Sequence, residues 1–534
     1  MRNSFIRSWS HLPSLFTHSY ISSLADVYRS GPVAGSGELS YRPLVTLSYM
    51  IDHSVWGLRP EGYHLTSLVL HTLNVVLVFF LGLRLLKHRG AAFLAAVLFA
   101  VHPVNAEAVS IISYRSDLLA AAFFLSAFIA YLRFRDSGSR AVYAGSRLLF
   151  SAALLSKENA VAFPFALLCY EGFLEKDGLR KKIKTLAPYF VLMAFYLVLW
   201  AWMKTSLTDQ IKNGSGQTFW TYAAHLAEIL GSYARILVFP SGLHLTLAGT
   251  SAVPVSKAAF FRAVFLFAAL AAAAGAVRKS PFAAFCFLWF FVCLAPFFPA
   301  LFLSPSRYLY LPALGFFWAV SAGAAKLFGH SSWKIKTAAL LSFAALCAVF
   351  IRIDLERMRV MKKQVSCAEE LVRYYPDNSQ ARILMASSYR DAEDWNAMLP
   401  ELQKARQLEP PVYEQTYVLS GIAFYNLGRM EESRVSFETA RSLNPKNSLP
   451  YLWLGSILGK KGDLEGAADD FRKALALDPE DPVIYFNLGV AYFHLHRLKD
   501  AAGILTAGAL LENQDSLSLA RFEALKQAIR QAHG

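Results

Sequence analysis

Two stretches, GIAFYNLGRMEESRVSFETARSLNP (421–445) and GSILGKKGDLEGAADDFRKALALDP (455–479), decide the architecture of the C-terminal part of the chain. Gly421, Gly455 and Gly489 stand 34 residues apart, as do Ala440, Ala474 and Gly508, and Pro445 and Pro479 keep the same step. Pro410 sits 35 residues before Pro445. Small residues at Gly421, Ala440, Gly455, Ala467, Ala474, Gly489 and Ala501 let helices approach closely, while Phe437, Phe471 and Leu505 fill the space between them. Proline then ends the second helix of each unit, because it cannot continue the hydrogen-bond ladder.

A helix-turn-helix unit repeating every 34 residues is the tetratricopeptide signature. A divergent earlier unit (Ala386, Tyr389, Leu402, Ala405, Pro410) and a half-unit before Pro376 precede the clear repeats. The segment 516–531, with Arg521, Glu523, Lys526 and Arg530, reads as a solvating cap. Grooves in such arrays use the first helix of each unit, which makes Tyr425, Asn426, Trp453, Lys460, Asn487 and His494 the candidate partner-binding residues.

Before Asp354 the pattern is different. Ten apolar stretches occupy 64–86, 91–112, 117–134, 141–156, 159–174, 185–203, 259–277, 281–302, 308–327 and 334–353. Several approach the roughly 20 residues needed to cross a hydrocarbon core of about 30 Å. The whole chain of 534 residues is 55% hydrophobic and 17% charged, with a mean hydropathy of +0.35, which excludes a wholly soluble protein. The expected fold is therefore all-α, in three segments: an extracytoplasmic tail (1–63), a polytopic membrane domain of about ten spans (64–353) and a tetratricopeptide α-solenoid (354–534).

The formal charge of +15 invites a nucleic-acid partner, but its distribution argues against one. Residues 1–354 hold 31 Lys+Arg against 14 Asp+Glu, a net of +17, and residues 355–534 hold 22 against 24, a net of −2. The excess lies among the apolar stretches, where loop topology accounts for it. If the first stretch runs outside to inside, the inner loops carry sixteen cations and the longer outer connections between spans carry seven. Both tails then lie outside the cytoplasm, in the periplasm of a bacterial inner membrane or in the lumen of the endoplasmic reticulum. Residues 204–256, the longest outer connection, contain FWTYAAHLAEILGSYARILVFP, read as an interfacial or re-entrant helix. An uncounted span there would invert everything after it.

Ionisable groups at span ends are expensive to hold and are functional candidates by default. The outer ends collect His102, Glu107, Arg115 and Asp117, then Lys157 and Glu158, then Arg307 beside Tyr308 and Tyr310. A guanidinium among tyrosines at a membrane surface suits a lipid phosphate. Each group also has a plainer reading: a helix-end histidine before Pro103, a salt-bridge set around an interfacial turn, a boundary between short spans, and an interfacial anchor. The five cysteines form no CxxC pair, and GxGxxG opening a helix, GxxxxGK[ST] and HExxH are all missing. Nucleotide-driven transport and zinc hydrolysis have no support, and no metal ligands stand out.

Four motifs carry a resemblance: YRPLVTLSYMIDHSVWGLRPEGYHLTSLVLHTLN (41–74), LFAVHPVNAEAVSIISYRSDLLAAAFFL (98–125), LLSKENA (154–160) and PSRYLYLPALGF (305–316). Followed by tetratricopeptide repeats, they resemble the transmembrane and tetratricopeptide-repeat O-mannosyltransferase-like family, relatives of the protein O-mannosyltransferases with the C-type multi-span glycosyltransferase fold. The resemblance implies an inverting transferase that takes a mannose-like sugar from a polyprenyl-phosphate carrier and passes it to a protein or other acceptor on the outer face. It leaves a divalent cation open. Membrane lipids, the lipid-linked sugar and a protein or peptide on the repeats are the implied partners. Arg115 and Arg307 match motif positions suited to the phosphate; His102, Lys157, Glu158 and Tyr310 would line the same cavity, with Glu107 and Asp117 as candidate catalytic carboxylates.

Similar proteins begin with a membrane helix and a loop bearing an acidic pair that supplies the catalytic carboxylate, upstream of the YRPL motif. Asp26 and Glu38 do not form that pair, so an upstream helix is expected to be missing from this sequence. A catalytically inactive relative, acting as a membrane-anchored scaffold for envelope proteins, is the competing expectation. A transporter is the weaker third, since no two halves show matching interrupted helices.

Overall fold

The computed structural model describes residues 6, 9, 12–16, 41–204, 219–240, 280–297, 306–329, 331–361, 364–408, 414–479, 481–511 and 516–533. The chain divides into two compact units: 13–20 with 39–363, and 1–12 with 21–38 and 364–534. All regular structure among the described residues is helical.

The membrane unit contains α1 (Pro43–Trp56), α2 (Pro60–Leu86), α3 (Arg89–Val101), α4 (Ala106–Ser110), α5 (Arg115–Ser137), α6 (Arg140–Leu154), α7 (Phe163–Phe173), α8 (Leu179–Lys204), α9 (Phe219–Val238), α10 (Pro281–Leu294), α11 (Ala313–Gly329) and α12 (Trp333–Met361). Four of the described helical segments are long and apolar enough to cross a bilayer: Pro60–Leu86, Ile112–Ser137, Leu179–Trp202 and Trp333–Met361. The apolar stretch 91–112 is not one straight helix: Arg89–Val101 and Pro103–Ser110 are bent by 49°, the geometry of a broken span or a re-entrant loop. Stretches 141–156 and 159–174 form helices of 15 and 11 residues. At ~1.5 Å per residue each is shorter than the ~30 Å hydrocarbon core. Stretch 308–327 becomes helical only at Ala313, after a 3₁₀ turn over Ser306–Leu309. Stretch 259–277 and the ends of the 204–256 connection lie outside the described residues; Phe219–Val238 is helical.

Burial ranks the helices. The α5 span is the central one, with most of its apolar window enclosed, whereas α12 turns nearly all of its surface outward. On α2, Leu65, Leu68, Val69, Leu73, Val76 and Phe80 point away from the protein, the lipid-facing side of a spanning helix. Around α5 the core is aromatic and locked edge to face: Phe124 and Phe128 meet Phe163 and Trp289, and Trp289 meets Trp318.

The repeat unit contains α13 (Gln364–Tyr374), α14 (Ser379–Asp391), α15 (Trp395–Leu408), α16 (Glu414–Asn426), α17 (Met430–Leu443), α18 (Ser448–Lys460), α19 (Leu464–Leu477), α20 (Pro482–His494), α21 (Leu498–Leu511) and α22 (Ser516–His533). The periodic small residues act as the spacing requires. A Cβ added at Gly421 would lie 2.7 Å from the Phe437 ring, one at Gly455 2.7 Å from the Phe471 ring, and one at Gly489 2.6 Å from Leu505. Between the two helices of a unit the chain turns through a left-handed residue: Gly428 at φ 76°, Gly462 at 87°, and, at the equivalent place in the next unit, His496 at 57°. Side chains of Asn447, Asp463 and Asp481 cap α18, α19 and α20 by accepting backbone N–H groups.

Candidate functional site

The break after α3 sets the site. Pro103 has no N–H to continue the helix, and His102 takes over its termination. Its Nδ1 accepts the Val104 N–H at 3.2 Å and its Nε2 donates to the Leu237 carbonyl at 3.1 Å. Both ring nitrogens are thus committed to backbone, and the ring packs against Phe317 and Phe350. Asn105 Nδ2 donates to the Phe99 carbonyl at 2.7 Å and closes the corner. The chain then re-enters helix at Ala106 and again at Arg115, placing Glu107 and the Arg115–Asp117 turn at one end of the central helix.

Four carboxylate–cation pairs converge there. Lys157 Nζ meets Asp117 Oδ1 at 2.6 Å, with side chains only 5% and 3% accessible. Arg115 Nη2 meets Asp52 Oδ2 at 2.6 Å and donates to the Tyr63 carbonyl at 2.8 Å; its guanidinium lies 4.6 Å from the Tyr49 ring centroid. Arg42 grips Glu158 with contacts of 2.7–3.1 Å and reaches Ser116 Oγ at 3.4 Å. Arg307 lies 3.8 Å from Glu107 Oε1, the loosest of the four, and its guanidinium stacks 3.5 Å from the Tyr114 ring centroid. Glu107 Oε2 accepts the Ser306 hydroxyl at 2.6 Å and the Arg307 N–H at 3.2 Å, so this carboxylate pins the turn that carries Arg307. Tyr308 and Phe297 stack on one another and flank the Lys157 ammonium.

The pairing governs charge at the open side of this cluster. Lys157 lies in the connection between α6 and α7. Burial lowers its pKa and the Asp117 charge opposes that, leaving it at about 8. Burial would raise the Glu158 carboxyl, but the Arg42 charge and hydrogen bonds outweigh burial and hold it well below the usual carboxylate range. Glu158 is the only one of the eight with an appreciably accessible side chain, 37%. The far end of α5 carries a separate network, where Arg135 pairs with Glu171, Glu175 and Asp177 and Tyr131 donates to Glu171.

Sequence reading singled out His102, Glu107, Arg115, Asp117, Lys157, Glu158 and Arg307, and all seven lie at this end of the unit. His102 is spent on the chain break. Tyr310 is fully enclosed, with its hydroxyl bound to His71 and Asn74 on α2. Arg42, Asp52, His71 and Asn74 were not singled out, although all stand inside the 41–74 motif; the signal for the last two is a pair of polar residues three apart in the apolar run LVLHTLNVV. Asp26 and Glu38 lie outside the described residues. In the repeat unit, Tyr425 and Trp453 pack ring to ring at 5.0 Å and Lys460 Nζ sits 4.0 Å from the Tyr425 centroid. Asn426, Lys460 and His494 are exposed and Asn487 is half-buried.

Comparison with known proteins follows the same division. Residues 43–203 match the family model for dolichyl-phosphate-mannose-protein mannosyltransferase, and residues 414–447 and 455–495 match tetratricopeptide-repeat models. Protein O-mannosyl-transferase TMTC3 of Mus musculus is 25% identical over 544 aligned residues, covering 85% of this chain and 59% of that protein. The chain is similar to the transmembrane and tetratricopeptide-repeat O-mannosyltransferase-like proteins. Protein O-mannosyl-transferase TMTC1 of Mus musculus is 35% identical over 159 residues (28% of this chain, 17% of that protein), and Tmtc1 of Drosophila melanogaster is 38% identical over 142 residues (26% and 16%). The chain thus spans about three fifths of the TMTC3 length. The mannosyltransferase match takes in Asp52, Arg115, Asp117, Lys157 and Glu158, two complete ion pairs and the acid of a third, and that similarity and the apolar helices together make this a membrane protein.

Proposed function

We propose that this chain transfers a mannose-like sugar from a polyprenyl-phosphate carrier to a protein or other acceptor on the extracytoplasmic face, with the repeats binding acceptor or partner. The observation that carries the reading is the convergence of Arg42, Arg115, Lys157 and Arg307 on one end of the central helix, each held by its own carboxylate. Such a site holds its cations paired when empty, so they are already in place for an arriving phosphate.

In the proposed step the acceptor oxygen attacks the anomeric carbon, and that carbon's bond to the phosphate oxygen breaks on the opposite side. The electron pair leaves with the polyprenyl phosphate, the acceptor proton passes to a carboxylate, and the sugar configuration inverts. Of the two candidate bases, Glu107 is occupied by Ser306 and the Arg307 backbone, whereas the buried Asp117 Oδ2 has no hydrogen-bond partner among the described residues. Asp117 is therefore the better proton acceptor, and Arg307, 3.8 Å from its carboxylate and beside Tyr114 and Tyr308, the phosphate ligand. Among the described residues no group of three or more His, Cys, Asp or Glu could hold a metal ion, so no step is assigned to a divalent cation.

A bacterial inner membrane with periplasmic repeats fits this reading, and an endoplasmic reticulum membrane with luminal repeats has the same geometry. The pairing of all four acids also favours a second reading, a scaffold whose ion pairs only stabilise the fold. Full-length protein in membranes with a mannosyl-phosphoryl-polyprenol donor, assayed by transfer of labelled mannose to endogenous acceptor, separates the two. Asp117→Asn and Arg307→Gln should each abolish transfer at unchanged protein level; unaltered transfer would leave the scaffold.

A further inference from the structure

Three polar side chains inside the membrane unit take no part in the four ion pairs, yet they join the segments that carry them. His71 and Asn74 lie one turn apart on α2, and Tyr310 follows the turn that bears Arg307; all three are buried. Their hydrogen bonds have only one consistent direction. A carbonyl can only accept, so His71 Nε2 donates to the Ala100 carbonyl at 3.2 Å, leaving Nδ1 bare. That nitrogen accepts the Tyr310 O–H at 2.7 Å, and the phenol oxygen in turn accepts from Asn74 Nδ2 at 3.1 Å. The other Asn74 N–H goes to the Leu118 carbonyl at 2.9 Å.

Each anchor is significant. In an unbroken helix the Ala100 carbonyl would receive the Val104 N–H, but that group goes to His102 Nδ1, so His71 satisfies a carbonyl released by the break ahead of Glu107. Leu118 follows Asp117 directly and lies three residues after Arg115. Tyr310 donates its backbone N–H to the Arg307 carbonyl at 3.1 Å, so the tyrosine is part of the same turn. One face of α2 thus touches the segments bearing Glu107, Arg307 and Asp117, which lie up to 200 residues apart in sequence.

We propose that His71, Tyr310 and Asn74 are positioning residues that fix Arg307 against Asp117 and Lys157 in the geometry that receives the donor phosphate. This rests on the transferase reading of the site. The ring of Tyr310 is also held between His71 and Phe99, with centroids 5.8 and 5.0 Å away, so removing its hydroxyl leaves the packing in place.

The test uses the full chain in lipid nanodiscs and undecaprenyl phosphate as probe, with affinity and the thermal unfolding midpoint measured for each variant. Arg307→Gln should weaken binding about tenfold or more, and Tyr310→Phe about five- to tenfold with a midpoint lowered only by a few degrees, since His71 Nδ1 and one Asn74 N–H lose a buried partner while the ring packing stays. The double variant should bind no worse than Arg307→Gln alone, because both changes remove the same contact. His71→Gln, whose amide can donate to Ala100 and accept from Tyr310, should retain affinity, and His71→Leu should match Tyr310→Phe. Parental affinity in Tyr310→Phe, or losses that multiply in the double variant, would overturn the positioning role while the transferase reading stands. Unchanged binding in Arg307→Gln would overturn both.

Discussion

Replacing Lys157 with methionine tests whether the innermost ion pair is a stabilising unit or two separately tolerated charges. Methionine keeps the length of the side chain and its packing beside Phe297 and Tyr308 but removes the ammonium 2.6 Å from Asp117. Asp117 Oδ2 already has no hydrogen-bond partner among the described residues, so losing Lys157 removes the hydrogen bond that Oδ1 accepts as well, in a side chain 3% accessible. Breaking a buried pair from one side costs about 3–5 kcal/mol, whereas replacing both partners with apolar groups is often neutral or stabilising. Lys157→Met should therefore lower the unfolding midpoint by on the order of 10 °C, and Lys157→Met with Asp117→Leu should recover most of that loss. The assay is thermal unfolding of purified protein in one detergent, completed as a double-mutant cycle with Asp117→Leu alone. A double variant as unstable as the sum of the two singles would refute the coupled-pair argument.

Further expectations concern pH and the repeats. Lys157, with a pKa of about 8, is charged below that value and loses its proton as pH rises through it, so binding of undecaprenyl phosphate should fall on the alkaline side of about 8; Lys157→Arg should remove that limb, since guanidinium stays protonated. His496 occupies a left-handed turn position that glycine fills in the two preceding repeats, and it is exposed. His496→Gly should raise stability by about 1 kcal/mol, read as a higher unfolding midpoint of the repeat transition. Gly455→Leu would drive a side chain into the Phe471 ring 2.7 Å from the new Cβ and should cost about 1–3 kcal/mol or more by the same measurement.

Residues that act on near neighbours could be read from the sequence. The 34-residue spacing of Gly421, Gly455 and Gly489 named the positions that face Phe437, Phe471 and Leu505, because both members of each contact recur within one repeat. The candidate ionisable residues were also visible, since charges in an apolar run stand out. Their partners were not, because pairing is a tertiary property: Asp117 meets Lys157 40 residues away, Glu107 meets Arg307 at 200, and Glu158 meets Arg42 at 116. Asp52 and Arg42 precede the first apolar stretch, so a reading built on span ends passed over them. Tyr310 was expected to face the donor phosphate; its hydroxyl instead faces α2, which no local pattern around residue 310 encodes. Span lengths also departed from the hydropathy reading at 91–112, where a proline and a histidine cap break a helix that remains apolar on both sides.

The separation of the paired charges along the chain also sets an order on biosynthesis. Asp117 enters the bilayer 40 residues ahead of Lys157, so its partner arrives within the next helical hairpin. Glu107 has to wait until residue 307 has left the ribosome, 200 residues later, and only then can the Ser306–Tyr310 turn reach it. Through that interval a carboxylate sits at the margin of the membrane without its counter-charge, a costly state. The last of the four ion pairs to close is thus the one that brings Arg307 into the site, and only α11 and α12 remain to be inserted after it.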